Sequence, residues 1–271
     1  MERYYRGKTG EHSFLDKPIL SILELSPVGR QTAAVWTRGL DFAQVELFDL
    51  DSGEQLSVWN PRDRGLGLDQ PRALAWMPDG KRCVLAVPNY FSCSSLGPEP
   101  DLFEVDALSG TILTKRTSGL LIGGVAVTGD ERVWAADSDC FGLLKNHDPK
   151  LRVFDLRARK RSKELSGRGS GVRYPIAASR NGKRVAAFTG KIKVDFDWGD
   201  MVSYGVPVDR TFSVWDASNY QPLVSSQNVA TAKRQEFSAP TSQPTLRMSP
   251  KGRFVIFDGT IYEIPDALGK N

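Results

Sequence analysis

The chain has 271 residues and a formal net charge of +4; 40% of its residues are hydrophobic and 25% are charged. This composition is typical of a globular protein with a sizeable core, and the small positive charge does not by itself indicate a nucleic-acid-binding protein. No stretch approaches the roughly 18 consecutive apolar residues of a membrane helix, and the N-terminus lacks the apolar core of a signal peptide. We therefore expect no membrane span and a cytoplasmic location, or a secreted or periplasmic one if a signal has been removed.

Short strands joined by tight turns dominate the sequence. Residues 2–6 and 11–15 are strand-like and flank a turn, so they predict an N-terminal hairpin. From Pro18 onward a pattern of four apolar strands recurs, and no segment has a convincing helical period. We place the repeats at residues 18–60, 71–116, 122–166, 174–227 and 244–266. We expect residues 1–271 to form one all-β domain.

The first turn of each repeat sets the period. Gly29 and Gly80 occupy this turn in the first two repeats, 51 residues apart, and Asp130-Glu131 follows after another 51. Gly182 and Gly252 occupy it in the last two repeats. A period of about 50 residues made of four short strands predicts a β-propeller, in which each blade is a four-stranded sheet.

Two motifs resemble a known family. The turn Ser249-Pro-Lys-Gly-Arg253 precedes an apolar strand, and the third strand of repeat four ends in Trp215-Asp216. These features resemble the tryptophan–aspartate (WD) repeat propellers and their degenerate bacterial relatives, over residues 18–266. Trp215-Asp216 is the only literal Trp-Asp pair, and the Gly-His dipeptide of that family is absent. The resemblance therefore implies a fold and carries over no member's function.

The fifth repeat has only three recognisable strands. An incomplete sheet leaves an unpaired edge, so we expect residues 11–15 to supply the fourth strand and close a ring of about five blades. The alternative is that the hairpin at residues 2–15 is half of a further blade, in a ring that is larger or incomplete.

The connections between second and third strands are long in the middle repeats, at residues 88–100, 138–149 and 191–209. They are expected on one face of the ring, and long connections on a rigid scaffold often carry binding sites. The candidate binding residues in these connections are aromatic, acidic or histidine: Asp195, Phe196, Asp197, Trp198, Asp200, Tyr204, Tyr90, Phe91, Phe141 and His147.

The connection 191–209, interpreted as a loop, has three alternative roles. Asp195, Asp197 and Asp200 resemble a calcium loop, but Gly199 occupies the third ligand position, so we do not expect a metal. The acids are otherwise solvated or cap backbone amides while the aromatic residues fix the loop. The third alternative is contact with a basic peptide or a sugar.

The basic residues 157–163 are expected in the turn between the third and fourth strands of repeat three, on the opposite face. Such a run can attract nucleic acid or anionic lipid, but no aromatic residues interleave with it. We favour a solvated turn and do not expect a nucleic-acid partner.

Cysteines and histidines are few. Cys83 lies on an inner strand and is expected in the core, whereas Cys93 and Cys140 fall in same-face connections. These two form a disulfide in an oxidising compartment or stay reduced in the cytosol, and we favour the reduced state. His147 is interpreted as a surface residue rather than a catalyst.

No catalytic motif is present: the sequence lacks a GxSxG elbow, an HExxH helix, a phosphate loop and a dinucleotide fingerprint. Apart from Glu24, the first strands of the repeats carry mainly apolar residues, which argues against a ring of catalytic acids around the central channel. We expect a monomeric scaffold without catalytic residues, cofactor or metal that binds a protein or peptide through the long-connection face. The alternative is a small-ligand or carbohydrate-binding, or carbohydrate-active, propeller that uses residues 191–209.

Overall fold

The structure is a computed structural model. It describes residues 18–38, 42–66, 71–87, 101–118, 122–137, 150–158, 160–165, 173–189, 192–197, 202–207, 211–225, 231–233 and 246–265. These residues form 22 strands and one turn of 3₁₀ helix at Arg62–Arg64. Within this part of the chain, no helix is long and apolar enough to cross a membrane.

Five sheets of four strands follow one another along the chain. Blade 1 contains β1 (Ile19–Leu25), β2 (Gln31–Arg38), β3 (Phe42–Asp49) and β4 (Gln55–Trp59). Blade 2 contains β5 (Ala73–Trp76), β6 (Arg82–Ala86), β7 (Leu102–Asp106) and β8 (Ile112–Arg116). Blade 3 contains β9 (Ile122–Val127), β10 (Arg132–Asp137), β11 (Leu151–Asp155) and β12 (Lys160–Leu165).

Blade 4 contains β13 (Arg173–Ala178), β14 (Arg184–Phe188), β17 (Phe212–Asp216) and β18 (Pro222–Ser225); β15 (Ile192–Asp197) and β16 (Val202–Pro207) lie between β14 and β17. Blade 5 contains β19 (Thr231–Lys233), β20 (Leu246–Met248), β21 (Phe254–Phe257) and β22 (Thr260–Glu263). Neighbouring strands within each blade are antiparallel, and the blades are arranged as a five-bladed β-propeller. The predicted fold class is confirmed.

The outer strand of blade 5 differs from the prediction. The sheet order is β19-β22-β21-β20, and Thr231 and Lys233 pair with Tyr262 and Ile261. The edge of β22 that we expected residues 11–15 to occupy is thus paired with β19, and the expectation is wrong. The stretch between blades 4 and 5 is long enough to form a strand before the inner strand begins. Residues 11–15 themselves lie outside the described residues.

Left-handed residues shape the first turn of every blade. Gly29 has a φ of 80° and Gly182 one of 67°, and Glu131 adopts the same conformation with a φ of 64°. The predicted equivalence of Glu131 with the glycines is confirmed. A left-handed non-glycine residue costs about 1–2 kcal/mol. The Glu131 carboxylate forms ion pairs with Arg82 at 2.8 Å and with Arg157 at 2.5 Å.

An aspartate closes the third strand of four blades: Asp49, Asp106, Asp155 and Asp216. Oδ1 of Asp216 accepts a hydrogen bond from the Ser218 N–H at 2.8 Å, and the other three also accept turn amides. The Ser52 amide lowers the pKa of Asp49 in the same arrangement. The Trp215-Asp216 pair is therefore a strand end and a turn cap, a structural element of the blade.

Hydrogen bonds from two buried core tryptophans join adjacent blades. Nε1 of Trp59 donates to the Ala107 carbonyl oxygen, and Nε1 of Trp76 donates to the Glu24 carbonyl oxygen, both at 3.0 Å. Both bonds connect blades 1 and 2. Cys83 is fully buried in the same core, as predicted, and burial raises the pKa of its thiol.

Candidate functional site

The connection 191–209 contains a β-hairpin, so its interpretation as a loop is wrong. Strand β15 pairs antiparallel with β16, with Asp195 opposite Tyr204, Phe196 opposite Ser203 and Asp197 opposite Val202. Apolar and polar residues alternate from Ile192 to Asp197, which is the period of a strand. This alternation was the signal available in the sequence.

The hairpin forms a sheet of its own. Among the described residues, β15 and β16 pair with each other and with no strand of a blade. Because the hairpin joins β14 to β17, it leaves the ring at the edge opposite the β13–β14 turn. The outer edges of such a sheet carry backbone donors and acceptors that a further strand can pair with.

The hairpin brings four of the predicted site residues together at defined register positions: Asp195, Phe196, Asp197 and Tyr204. The other predicted site residues lie outside the described residues: Trp198, Asp200, Tyr90, Phe91, Phe141 and His147. Cys93 and Cys140 also lie outside them. The two alternatives for Cys93 and Cys140, and the binding roles of the six remaining candidate residues, stay predictions.

The basic run 157–163 only begins in the predicted turn between β11 and β12: residues 157 and 158 lie in the turn, whereas Lys160 to Lys163 belong to β12, so the assignment of the whole run to a turn is wrong. Arg157 pairs with Glu131, and Nζ of Lys163 lies 4.8 Å from the ring centroid of Tyr220. At least these two basic side chains therefore stabilise contacts within the protein.

A second candidate site lies on the axis of the ring. A cavity of about 510 Å³ is lined by residues of all five innermost strands and by the turns that follow them. Its size falls in the range of roughly 300–1,000 Å³ that is usual for small-molecule sites. It opens at the face of the first turns, which is opposite the hairpin.

One layer of this cavity consists of equivalent residues from the five blades. Each lies two residues before the carbonyl that accepts the first-turn hydrogen bond, as in Gly29 N–H to Ser26 O at 2.9 Å. The five residues are Glu24, Ala75, Ala126, Ala177 and Arg247, and all of them line the cavity. Three blades thus have alanine at this position, whereas blade 1 has an acid and blade 5 has a base.

Glu24 is half-buried, and burial raises the pKa of its carboxyl while the charge of Arg247 opposes the rise. Among the described residues, no salt bridge joins Glu24 to Arg247, and no hydrogen bond reaches the Glu24 carboxylate. Arg247 donates to the Leu246 carbonyl oxygen at 2.9 Å. The sequence shows Glu24 as a lone acid among the first strands, but its relation to Arg247 is visible only in the fold.

Asp101 is a second acid whose pKa is raised by burial, to about 6. Its oxygens accept hydrogen bonds from the Ser118 N–H at 2.7 Å and the Ser118 hydroxyl at 2.6 Å. The Asp101 carboxyl is buried and links the start of β7 to Ser118, which follows β8. It does not line the axial cavity.

Comparison with known proteins identifies the fold alone. Neither a protein-family model nor a curated protein matches the sequence. The chain is similar to the β-propeller domain of Cps50 (Swd1) from Myceliophteria thermophila, with a TM-score of 0.55 and 14% identity over 94% of this chain and 70% of that one. It is also similar to a chain of a mitotic checkpoint complex, with a TM-score of 0.52 and 10% identity over 92% of this chain and 78% of that one. Both are structural neighbours of the WD-repeat type, which agrees with the predicted resemblance at the level of the fold.

Proposed function

We propose that this protein is a non-enzymatic scaffold that binds a protein or peptide through the hairpin-bearing face of the propeller. The observation that carries the proposal is the separate two-stranded sheet of β15 and β16, inserted into an otherwise regular blade. A blade needs a connection of only a few residues at this point, as Asp258-Gly259 illustrates in blade 5. The inserted hairpin is therefore not required to complete the sheet.

The hairpin offers a recognised binding mode. An extended peptide adds a strand to an open sheet edge, where main-chain hydrogen bonds supply affinity and neighbouring side chains supply specificity. The second structural neighbour is a component of a protein complex by its description, which supports the same class of function. Among the described residues, no group of three or more His, Cys, Asp or Glu is placed to hold a metal ion.

Replacement of the hairpin tests the proposal. We expect a variant in which residues 192–207 are replaced by a short Gly-Ser connection to keep the melting temperature of the wild type, because these strands pair with no blade strand in the described structure. The tagged variant should lose the partner that the wild type captures from cells encoding the chain, as measured by quantitative mass spectrometry.

Lys183→Ser is the matched control, since Lys183 is exposed on the first turn of the same blade, at the opposite face. This variant should capture the partner as the wild type does. Equal capture by the hairpin replacement and the wild type would contradict the proposal. Hairpin-dependent binding of an oligosaccharide, with no protein captured, would favour the carbohydrate alternative.

A further inference from the structure

The axial cavity holds two opposite charges that are not neutralised by direct contact with each other. The described residues that line it include three charged side chains, Glu24, Arg180 and Arg247. Arg180 lies at the mouth of the cavity and already has a partner within the protein, because its Nε donates to the Pro27 carbonyl oxygen of blade 1. Glu24, which is half-buried, and Arg247, which is exposed at the cavity, remain as one anion and one cation in the same layer.

The alanines in the other three blades widen the cavity at this layer. Ala75 and Ala126 are buried, so these two blades contribute only a small side chain at this layer. Above and below this layer the lining is mainly apolar: Leu25, Leu74, Val125, Val127, Ile176 and Met248. A small site with an acid, a base and an apolar wall favours a ligand that has the complementary three parts.

We infer that the axial cavity binds a small zwitterion, an α-amino acid with an apolar side chain. The ammonium group pairs with the Glu24 carboxylate, the ligand carboxylate pairs with the Arg247 guanidinium, and the side chain contacts the apolar lining. Charge-assisted hydrogen bonds of both kinds are stronger than neutral ones, and arginine binds carboxylates with two parallel N–H donors. The site lies on the face opposite the hairpin, so the inference is independent of the proposed partner binding.

Calorimetric titration of the purified chain with L-leucine tests this inference. We expect saturable one-to-one binding. Two analogues each lack one charge: 4-methylpentanoate has no ammonium group, and 3-methylbutylamine has no carboxylate. Each should bind at least about tenfold more weakly, the loss expected when one charge-assisted interaction is removed.

Two variants locate the site. Glu24→Ala and Arg247→Ala should each weaken L-leucine binding at least about tenfold. Both should fold, because alanine already occupies this layer in three blades. The matched controls are Glu54→Ala and Arg253→Ala, which change exposed charges of the same two blades outside the cavity and should bind like the wild type.

Three results would overturn the inference. One is the absence of saturable L-leucine binding to the wild type. Another is unchanged affinity in both variants. The third is 3-methylbutylamine binding as tightly as L-leucine, which would identify a cation site.

Discussion

Gly182→Ala is expected to destabilise the protein by at least about 4 kcal/mol, a loss at the upper end of what single substitutions cause. Gly182 has a φ of 67°, and a Cβ added to it would overlap the backbone nitrogen and Cα of Gly129. Both obstacles are backbone atoms of the neighbouring blade, so rotation of a side chain cannot relieve the overlap. The first turns of blades 3 and 4 would have to separate, which opens the contact between the two blades.

Gly53→Ala is the matched control for this prediction. Gly53 is also left-handed, with a φ of 72°, but nothing lies within 4 Å of the Cβ that alanine would add. Its substitution should cost only the left-handed penalty of about 1–2 kcal/mol. Urea denaturation followed by circular dichroism measures both free energies of unfolding. Equal losses in the two variants would show that the turns of blades 3 and 4 do not touch as described.

Trp215→Ala is expected to cost about 3–5 kcal/mol, the usual loss for truncating a buried tryptophan. Trp215 is 3% exposed and belongs to the core cluster shared by blades 3 and 4, where it lies opposite Val185 on the neighbouring strand. Its removal leaves a cavity that the surrounding strands fill only in part.

The same variant separates structure from binding. Trp215 precedes the cap residue Asp216, at the end of β17 far from the hairpin, so partner capture per folded molecule should match the wild type. Trp215→Phe keeps an aromatic ring at this position and should lose less stability than alanine. A neutral Trp215→Ala, or one that folds normally and loses the partner, would contradict the assignment of Trp215 to the core.

The blades were predictable from the sequence because each repeats the same local signals. Left-handed turn residues recur at Gly29 and Gly80, and an apolar strand follows each one. The aspartates at the third-strand ends mark the next turn in four blades. These signals act within a few residues, so no knowledge of distant contacts was needed to place them.

The outer strand of blade 5 was not predictable in the same way. Thr231–Lys233 has three residues, and its partner Tyr262 lies 31 positions later in the chain. Such a short strand forms because it pairs with the open edge of β22, and its own sequence contains no apolar run. The β15–β16 hairpin did carry a strand period, but long connections favour an interpretation as loops.

Glu24 and Arg247 in the axial cavity could not be related to each other from the sequence alone. Glu24 and the alanines of the next three blades are spaced by 51 residues, whereas Arg247 follows Ala177 by 70 because the hairpin and β19 intervene. A strict 51-residue repeat would therefore place a residue other than Arg247 in that layer. The turn hydrogen bonds align the five positions where the sequence period does not.

Hydrogen–deuterium exchange of the protein with and without its captured partner tests the proposed function most directly. We expect slower amide exchange on binding in residues 192–197 and 202–207, because an added strand would pair with the open edges of the hairpin. The first turns, such as the one at Gly29, should exchange at the same rate in both samples. Protection confined to those turns, with the hairpin unchanged, would contradict the assignment of partner binding to the hairpin-bearing face.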